Sequence, residues 1–189
     1  RLMLLAVDPS STATGMALVS WPRGGKPCLH ASWQLVPPSH WSRERRLVKL
    51  WKDLRAGMAE AVLAGAEGIA LEETPAQWRR DGGRGLRQSV PYVVGTAAGL
   101  ALAAWLAAGG SERVLFLPVG QWRQALGPAV LSGSPGRGGW KLAAIRAARM
   151  LFGLTADLAE DASEAALLGL AACMLWERPR PKGAVPCRT

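Results

Sequence analysis

Residues 2–21 read LMLLAVDPSSTATGMALVSW, and the architecture of the chain follows from this stretch. Residues 2–7 form a continuous apolar run that ends at Asp8, as in a strand that is buried on both faces and followed by a turn. Residues 15–21 and 32–36 predict two further strands, separated by a Pro- and Gly-containing break. The chain is therefore expected to open with a three-strand antiparallel meander whose first strand ends in a carboxylate.

The rest of the chain alternates helices with strands. The remaining predicted elements are a helix capped by Ser42, a strand at 69–71, an Ala-rich helix within 90–108, a strand at 114–117, and helices at 119–126, at 140–152 and from near Asp157 to about Trp176. This order predicts an α/β fold with a mixed central β-sheet of about five strands, flanked by helices. We expect one domain over residues 1–177, followed by a disordered basic, Pro-containing tail at 178–189.

The composition points to a polyanionic partner. The chain has 189 residues and a net charge of +9, from 23 Lys and Arg against 14 Asp and Glu. Such a balance fits nucleic-acid binding or a membrane surface, although the abundance of Ala, Gly, Arg and Trp would also follow from a GC-rich genome. In a chain this basic, carboxylates placed at strand ends suggest that a divalent metal is held against a polyanion.

Cysteine usage and hydropathy predict a location in the cytoplasm. The three cysteines, Cys28, Cys173 and Cys187, are odd in number and widely spaced, which favours a reducing compartment. The apolar run at the start is too short for a signal peptide. Residues 90–108 are uncharged and nearly as long as a bilayer span, but a crossing there would separate the acidic residues described next. We therefore expect a buried helix there and no membrane association.

Four acidic residues are the candidate metal ligands: Asp8, Glu72, Asp161 and Glu164. Glu72 ends the strand at 69–71, and Asp161 and Glu164 share a helix face because they are three residues apart. Each also has an ordinary interpretation, as a turn residue, a solvated strand end or a favourable charge at a helix N-terminus. Together they predict a cradle for two Mg²⁺ or Mn²⁺ ions. Asp157 and Glu160 have the spacing of a capping box and are left out of this set.

Three segments resemble the RuvC-type Holliday junction resolvases. Residues 7–15, VDPSSTATG, resemble their opening, apolar-Asp-Pro-Gly-x-x-x-Thr-Gly. Residues 69–72, IALE, are similar to their strand ending in the second acid, and residues 161–165, DASEA, to their terminal Asp-Ala-Ala-Asp-Ala helix. The resemblance spans about residues 1–176. It implies an RNase H-like fold, a homodimer, and metal-dependent paired nicks across four-way junction DNA that leave 5′-phosphate and 3′-hydroxyl ends.

The resemblance also implies roles for individual residues. Asp8, Glu72, Asp161 and Glu164 would be catalytic metal ligands, whereas Arg123 and the catalytic Lys141 match positions where the family has basic residues near the scissile phosphate. This chain departs from the family pattern in three places: Ser10 replaces Gly, Glu164 replaces Asp, and Thr74-Pro75 stands where an aromatic wedge is usual. Trp78 is a candidate for stacking in the junction, although packing in the core or within its loop is the more ordinary interpretation. These departures suggest a phage enzyme acting in the host cytoplasm, as an alternative to a cellular nucleoid enzyme.

Two basic, Gly-rich segments at 79–87 and 133–141 predict the DNA-binding surface. The predicted DNA-binding residues are Arg79, Arg80, Arg84, Arg87, Arg123, Arg137 and Lys141. Such a surface would equally serve a non-catalytic junction-binding protein, and RNase H-like nucleases can also act on flaps or hybrids. An actin-like or sugar-kinase phosphotransferase shares the Asp-turn-Thr pattern, but 189 residues do not hold its duplicated domain.

Overall fold

A computed structural model describes residues 1–10, 12–22, 25–73, 89–127 and 137–176. Within these residues the chain forms five strands and five helices. In chain order they are β1 (Leu2–Asp8), β2 (Thr14–Trp21), β3 (Cys28–Leu35), α1 (Arg43–Leu63), β4 (Gly68–Glu73), α2 (Ser89–Ala107), β5 (Val114–Pro118), α3 (Val119–Leu126), α4 (Arg137–Phe152) and α5 (Glu160–Trp176).

The strands form one mixed sheet in the order β3-β2-β1-β4-β5. β1 pairs antiparallel with β2, and β2 with β3, whereas β1, β4 and β5 run parallel. The prediction of an α/β fold that opens with a three-strand meander is therefore confirmed. Because the carboxyl ends of parallel strands meet at one edge, Asp8 at the end of β1 and Glu72 near the end of β4 arrive at the same edge of the sheet.

Helices cover both faces of the sheet. Leu4 and Ala6 of β1 are buried against α5 and its neighbours, and Leu5 and Val7 are buried in a second cluster with α1 and α2. Burial on both faces explains why β1 is a continuous apolar run rather than an alternating one. None of the helices in the described part of the chain is long and apolar enough to span a membrane, and Trp105 of α2 is wholly buried in the second cluster.

α5 lies very close to the sheet because small residues line it. A Cβ placed at Gly169 would lie 2.9 Å from Cγ2 of Val19 and 3.1 Å from Cβ of Ala6. Ser163 is buried in the same helix, and its hydroxyl donates to the carbonyl oxygen of Ala159 at 3.0 Å. α5 is therefore fixed against β1 and β2, and the acids in its first turns cannot move far from the sheet.

Three predicted boundaries were wrong, and one of them is the start of α4, which lies at Arg137 rather than at residue 140. α5 begins at Glu160 rather than near Asp157, so Asp157 and Glu160 do not form a capping box. The Asp157 carboxylate instead accepts a hydrogen bond from Arg149, and Glu160 pairs with Lys141. β3 begins at Cys28, four residues before its predicted start, and a register shift in its pairing with β2 falls within this additional part of the strand, between the pairs Leu18–Ala31 and Val19–Leu29. The predicted tail and its boundary at residue 177 lie outside the described residues.

Candidate metal centre

Three of the four predicted acids converge. Asp8 at the end of β1 and Asp161 and Glu164 in the first turns of α5 each offer one carboxylate oxygen, and these oxygens all lie within 4.8 Å of one another. All three side chains are partly buried at the carboxyl edge of the parallel strands. Such a set of oxygen donors fits a hard divalent cation, which prefers carboxylate ligands.

The turn after Asp8 is closed by a hydroxyl. The side chain of Thr14 donates to the carbonyl oxygen of Ser10 at 2.6 Å and accepts from the Ser10 amide at 3.1 Å. Thr14 is buried, so these bonds satisfy its hydroxyl inside the protein. The threonine therefore ties Ser10, two residues after Asp8, to the start of β2.

Glu72 adds a fourth negative charge beside the three converging carboxylates. Its Oε2 accepts a hydrogen bond of 3.0 Å from the indole N–H of Trp122. Burial raises the pKa of Glu72, and the charge of Glu164 raises it further, whereas the Trp122 bond and the Arg123 charge lower it. Glu72 is thus electrostatically coupled to the group and not an isolated strand end.

Asp8 is the most strongly perturbed of the acids. Burial raises the pKa of Asp8 well above its usual value, and the charges of Glu72, Glu164 and Asp161 raise it further. Lys141 opposes the shift by lowering the pKa of Asp8. Four carboxylates crowded into a partly desolvated space repel each other, and a bound divalent cation would relieve that repulsion.

Both basic residues predicted near the scissile phosphate lie at this cluster. Nζ of Lys141 pairs with Glu160, and Nη2 of Arg123 lies 4.0 Å from Oε1 of Glu164. Burial lowers the pKa of Arg123, while the charges of Glu164, Glu72 and Asp8 raise it in turn. The centre therefore combines a dense set of anionic oxygens with two cations at its border.

Sequence reasoning missed three residues that bind the acids. The indole N–H of Trp140 donates to Oε1 of Glu164 at 3.0 Å, Trp122 donates to Glu72, and Nε2 of Gln34 donates to Oδ2 of Asp161 at 2.8 Å. The placement of Gln34 near the end of β3 was a usable signal, because β3 ends at the same edge of the sheet as β1. Nothing in the spacing of the two tryptophans distinguishes them from core residues.

Most of the predicted DNA-binding residues lie outside the described residues. These are Arg79, Arg80, Arg84 and Arg87, all within 74–88, and Trp78, the candidate for stacking in the junction, lies in the same segment. Arg137 is the first residue of α4, but its side chain is also outside the described part. Their roles remain predictions from the sequence.

The fold recurs in solved structures. Thermus thermophilus RuvC in complex with a Holliday junction substrate matches with a TM-score of 0.65 at 20% identity, over 93% of this chain and 95% of that chain. A second T. thermophilus RuvC structure matches equally well at 18% identity, over the same shares of both chains. The yeast mitochondrial Holliday junction resolvase Ydc2 matches at 12% identity with a TM-score of 0.53, over 92% of this chain and 79% of that chain.

The comparisons of sequence found no match, whereas the comparison of structures did. No family model matches the chain, and no curated protein matches it. The structural likeness shows that the chain has the RNase H-like fold found in RuvC and related resolvases, as the resemblance of its three acidic segments implied.

Proposed function

We propose that this protein is a metal-dependent, structure-selective DNA endonuclease that resolves four-way junctions by paired symmetric nicks. The observation that carries the proposal is the convergence of Asp8, Asp161 and Glu164 within 4.8 Å on a RuvC-like fold. These acids come from segments more than 150 residues apart in the chain, so their meeting is a product of folding and not of local sequence bias.

The acidic residues fit a site for two Mg²⁺ or Mn²⁺ ions. Asp8, Asp161 and Glu164 would hold the metal, with Glu72 contributing from β4. When bound, such ions supply a more acidic water and stabilise the negative charge that develops during phosphodiester hydrolysis. The resemblance implies 5′-phosphate and 3′-hydroxyl products.

Two cations at the border of the site are suited to the substrate. Arg123 and Lys141 carry positive charge next to the acids, where the phosphate of a bound strand would approach. The net charge of +9 favours DNA binding by the chain as a whole. A four-way junction offers two equivalent strands, so we propose a homodimer with one site for each cut, acting at the nucleoid or on phage DNA in a host cytoplasm.

The decisive experiment compares cleavage of several nucleic-acid substrates by the wild type with cleavage of the junction by a variant of one acid. A labelled four-way junction is incubated beside linear duplex, flap and RNA–DNA hybrid, with Mg²⁺ or with EDTA. We expect Mg²⁺-dependent cleavage of the junction, and we expect Asp8→Asn to abolish cutting while junction binding survives. The control is Asp53→Asn, which removes an equal charge from the Lys49–Asp53 pair on α1.

Each other outcome has a specific meaning. Preferred cutting of the hybrid or flap would assign a different RNase H-like nuclease activity. Tight junction binding without any metal-dependent nick would indicate a non-catalytic junction-binding protein. Normal cleavage by Asp8→Asn would refute the assignment of the site.

A further inference from the structure

Two tryptophans hold the two glutamates of the candidate metal centre. The indole N–H of Trp122 in α3 donates to Oε2 of Glu72, and that of Trp140 in α4 donates to Oε1 of Glu164, both at 3.0 Å. The two indoles also contact each other, with ring centroids 6.4 Å apart and planes inclined by 60°. One aromatic pair thus binds acids that come from β4 and α5.

A core tryptophan does not need a carboxylate as its partner. Trp105 is as completely buried as Trp122, yet its indole N–H donates to the backbone carbonyl oxygen of Ser111 at 2.7 Å. That bond satisfies the single donor that a buried indole carries. Burial alone therefore does not explain why the acceptors of Trp122 and Trp140 are the carboxylates of Glu72 and Glu164.

An indole N–H can orient a carboxylate without neutralising it. A hydrogen bond from a neutral donor to an ionised acceptor is stronger than a neutral pair, but the donor brings no net charge. A lysine in the same place would cancel the charge that attracts a cation. Each tryptophan contacts one oxygen of its glutamate and adds no positive charge there.

Glutamate has a particular need for such a contact. Its side chain has one more rotatable bond than that of aspartate, so fixing a glutamate in a single conformation costs more rotamer entropy. Glu164 carries this longer side chain, whereas Asp161, one turn earlier in the same helix, carries the shorter one. The bond from Trp140 restricts the longer side chain and keeps its carboxylate within reach of Asp8 and Asp161.

The same aromatic pair fixes the cation at the border of the centre. The guanidinium carbon of Arg123 lies 3.4 Å from the centroid of the Trp140 ring and 5.2 Å from that of Trp122. Among the described residues its buried Nε has no hydrogen-bond partner, so the guanidinium group is placed by stacking on the two indoles together with the charge of Glu164. Arg123 is thereby held with Nη2 at 4.0 Å from Glu164.

We propose that Trp122 and Trp140 are positioning residues that pre-orient Glu72, Glu164 and Arg123 for metal and phosphate. This inference rests on the proposed metal-dependent function and names the residues that arrange its ligands. Partners of metal ligands act in this way in many metalloproteins, where their loss weakens metal binding or activity by about 10- to 100-fold.

The test measures metal binding directly. Mn²⁺ is titrated calorimetrically into the full-length chain as wild type, Trp140→Phe, Trp122→Phe and the control Trp105→Phe, with thermal melts to show that each variant is folded. We expect about 10- to 100-fold weaker Mn²⁺ binding for Trp140→Phe and Trp122→Phe. Trp105→Phe also loses a buried indole donor, but it lies in the other core cluster and should bind Mn²⁺ like the wild type.

Nuclear magnetic resonance of the wild type tests the same contacts without a core substitution. The indole N–H signals of Trp122 and Trp140 are assigned by their loss in the two variants, or by Glu72→Gln and Glu164→Gln if Trp122→Phe does not fold. Adding Mg²⁺ should shift these two signals and leave that of Trp105 in place. Equal movement of all three, or of none at saturating Mg²⁺, would overturn the inference.

The failures of the two proposals are distinguishable. A wild-type protein that binds no divalent ion and cuts no junction refutes the proposed function, and the positioning role with it. A wild type that binds Mn²⁺ and cleaves, beside a folded Trp140→Phe with unchanged Mn²⁺ affinity, refutes the positioning role alone.

Discussion

Gly15 on β2 and Asp161 at the start of α5 meet backbone to backbone. A Cβ placed at Gly15 would lie 1.9 Å from the carbonyl oxygen of Asp161 and 2.3 Å from its carbonyl carbon. Gly15 is also the antiparallel partner of Asp8. The missing side chain therefore lets the N-terminus of α5 reach the strand pair that carries Asp8, which brings acids from the two ends of the chain together.

We expect Gly15→Ala to displace the start of α5. The new methyl group would overlap backbone atoms that cannot rotate away, and overpacking of this kind typically costs about 1–3 kcal/mol of unfolding free energy. Denaturant unfolding measures this loss, and calorimetry should show weaker Mn²⁺ binding because Asp161 moves away from Asp8. Wild-type stability and Mn²⁺ affinity in this variant would contradict the packing argument.

Gly99→Ala is the control for that substitution. Gly99 lies inside α2, and a Cβ there would meet nothing within 4 Å. Removing a helical glycine without a clash should stabilise the protein by about 0.5–1 kcal/mol and leave Mn²⁺ binding unchanged. Both substitutions add one methyl group. Changes of opposite sign in the unfolding free energy would therefore show that the loss in Gly15→Ala comes from the contact with Asp161.

The layout of the fold could be predicted from sequence because its signals are local. Burial of β1 on both faces produces an unbroken apolar run at 2–7, and the two acids at the ends of parallel strands follow from that pattern. Asp161 and Glu164 share a face through helical spacing alone. These local rules were sufficient to identify three residues that meet within 4.8 Å.

The contacts that bind the acids could not be predicted in the same way. Trp122 and Glu72 are 50 residues apart, and Gln34 and Asp161 are 127 apart, so their pairing depends on the packing of α3 and β3 against the sheet. The start of α5 was misplaced for a related reason. Asp157 looks like a cap in the sequence, but in the fold its carboxylate binds Arg149 of α4.

We expect Asp8→Asn to stabilise the metal-free protein at neutral pH. The pKa of Asp8 is raised above its usual value, so between the usual and the raised pKa the folded state binds more protons than the unfolded state. Unfolding free energy therefore falls as pH rises through that range, and the ionised Asp8 destabilises the fold above it. Thermal melts in EDTA should show a higher Tm for Asp8→Asn at pH 7, with the difference shrinking as pH falls toward the usual pKa.

Bound Mg²⁺ should reverse the order of the two melting temperatures, so that the wild type has the higher Tm. A ligand that binds only the folded state adds about 2.7 kcal/mol at a concentration of 100 times its Kd, so Mg²⁺ should raise the Tm of the wild type and have little effect on Asp8→Asn. Asp53→Asn serves as the control, because it breaks an ion pair on α1 and should lower stability slightly with or without Mg²⁺. A lower Tm for Asp8→Asn than for wild type in EDTA would contradict the electrostatic account.

We expect Arg123→Ala to slow junction cleavage far more than it weakens junction binding. One phosphate contact is a small part of the electrostatic affinity of a chain with charge +9, but a fixed donor beside the reacting phosphate acts where charge develops. Loss of one such donor typically lowers the rate by about 100-fold or more. Single-turnover cleavage and junction binding, measured at the same salt concentration, separate the two effects.

Arg113→Ala is the appropriate control for Arg123→Ala, because it removes the same charge at the amino end of β5, where Arg113 pairs with Glu67. That edge of the sheet is opposite the acids, so the cleavage rate should stay at the wild-type level. The cleavage rate of Arg123→Lys should fall between those of the wild type and Arg123→Ala, since lysine keeps the charge but loses the planar stacking on Trp140. Equal rates for Arg123→Ala and Arg113→Ala would show that Arg123 contributes general positive charge and has no specific role at the scissile phosphate.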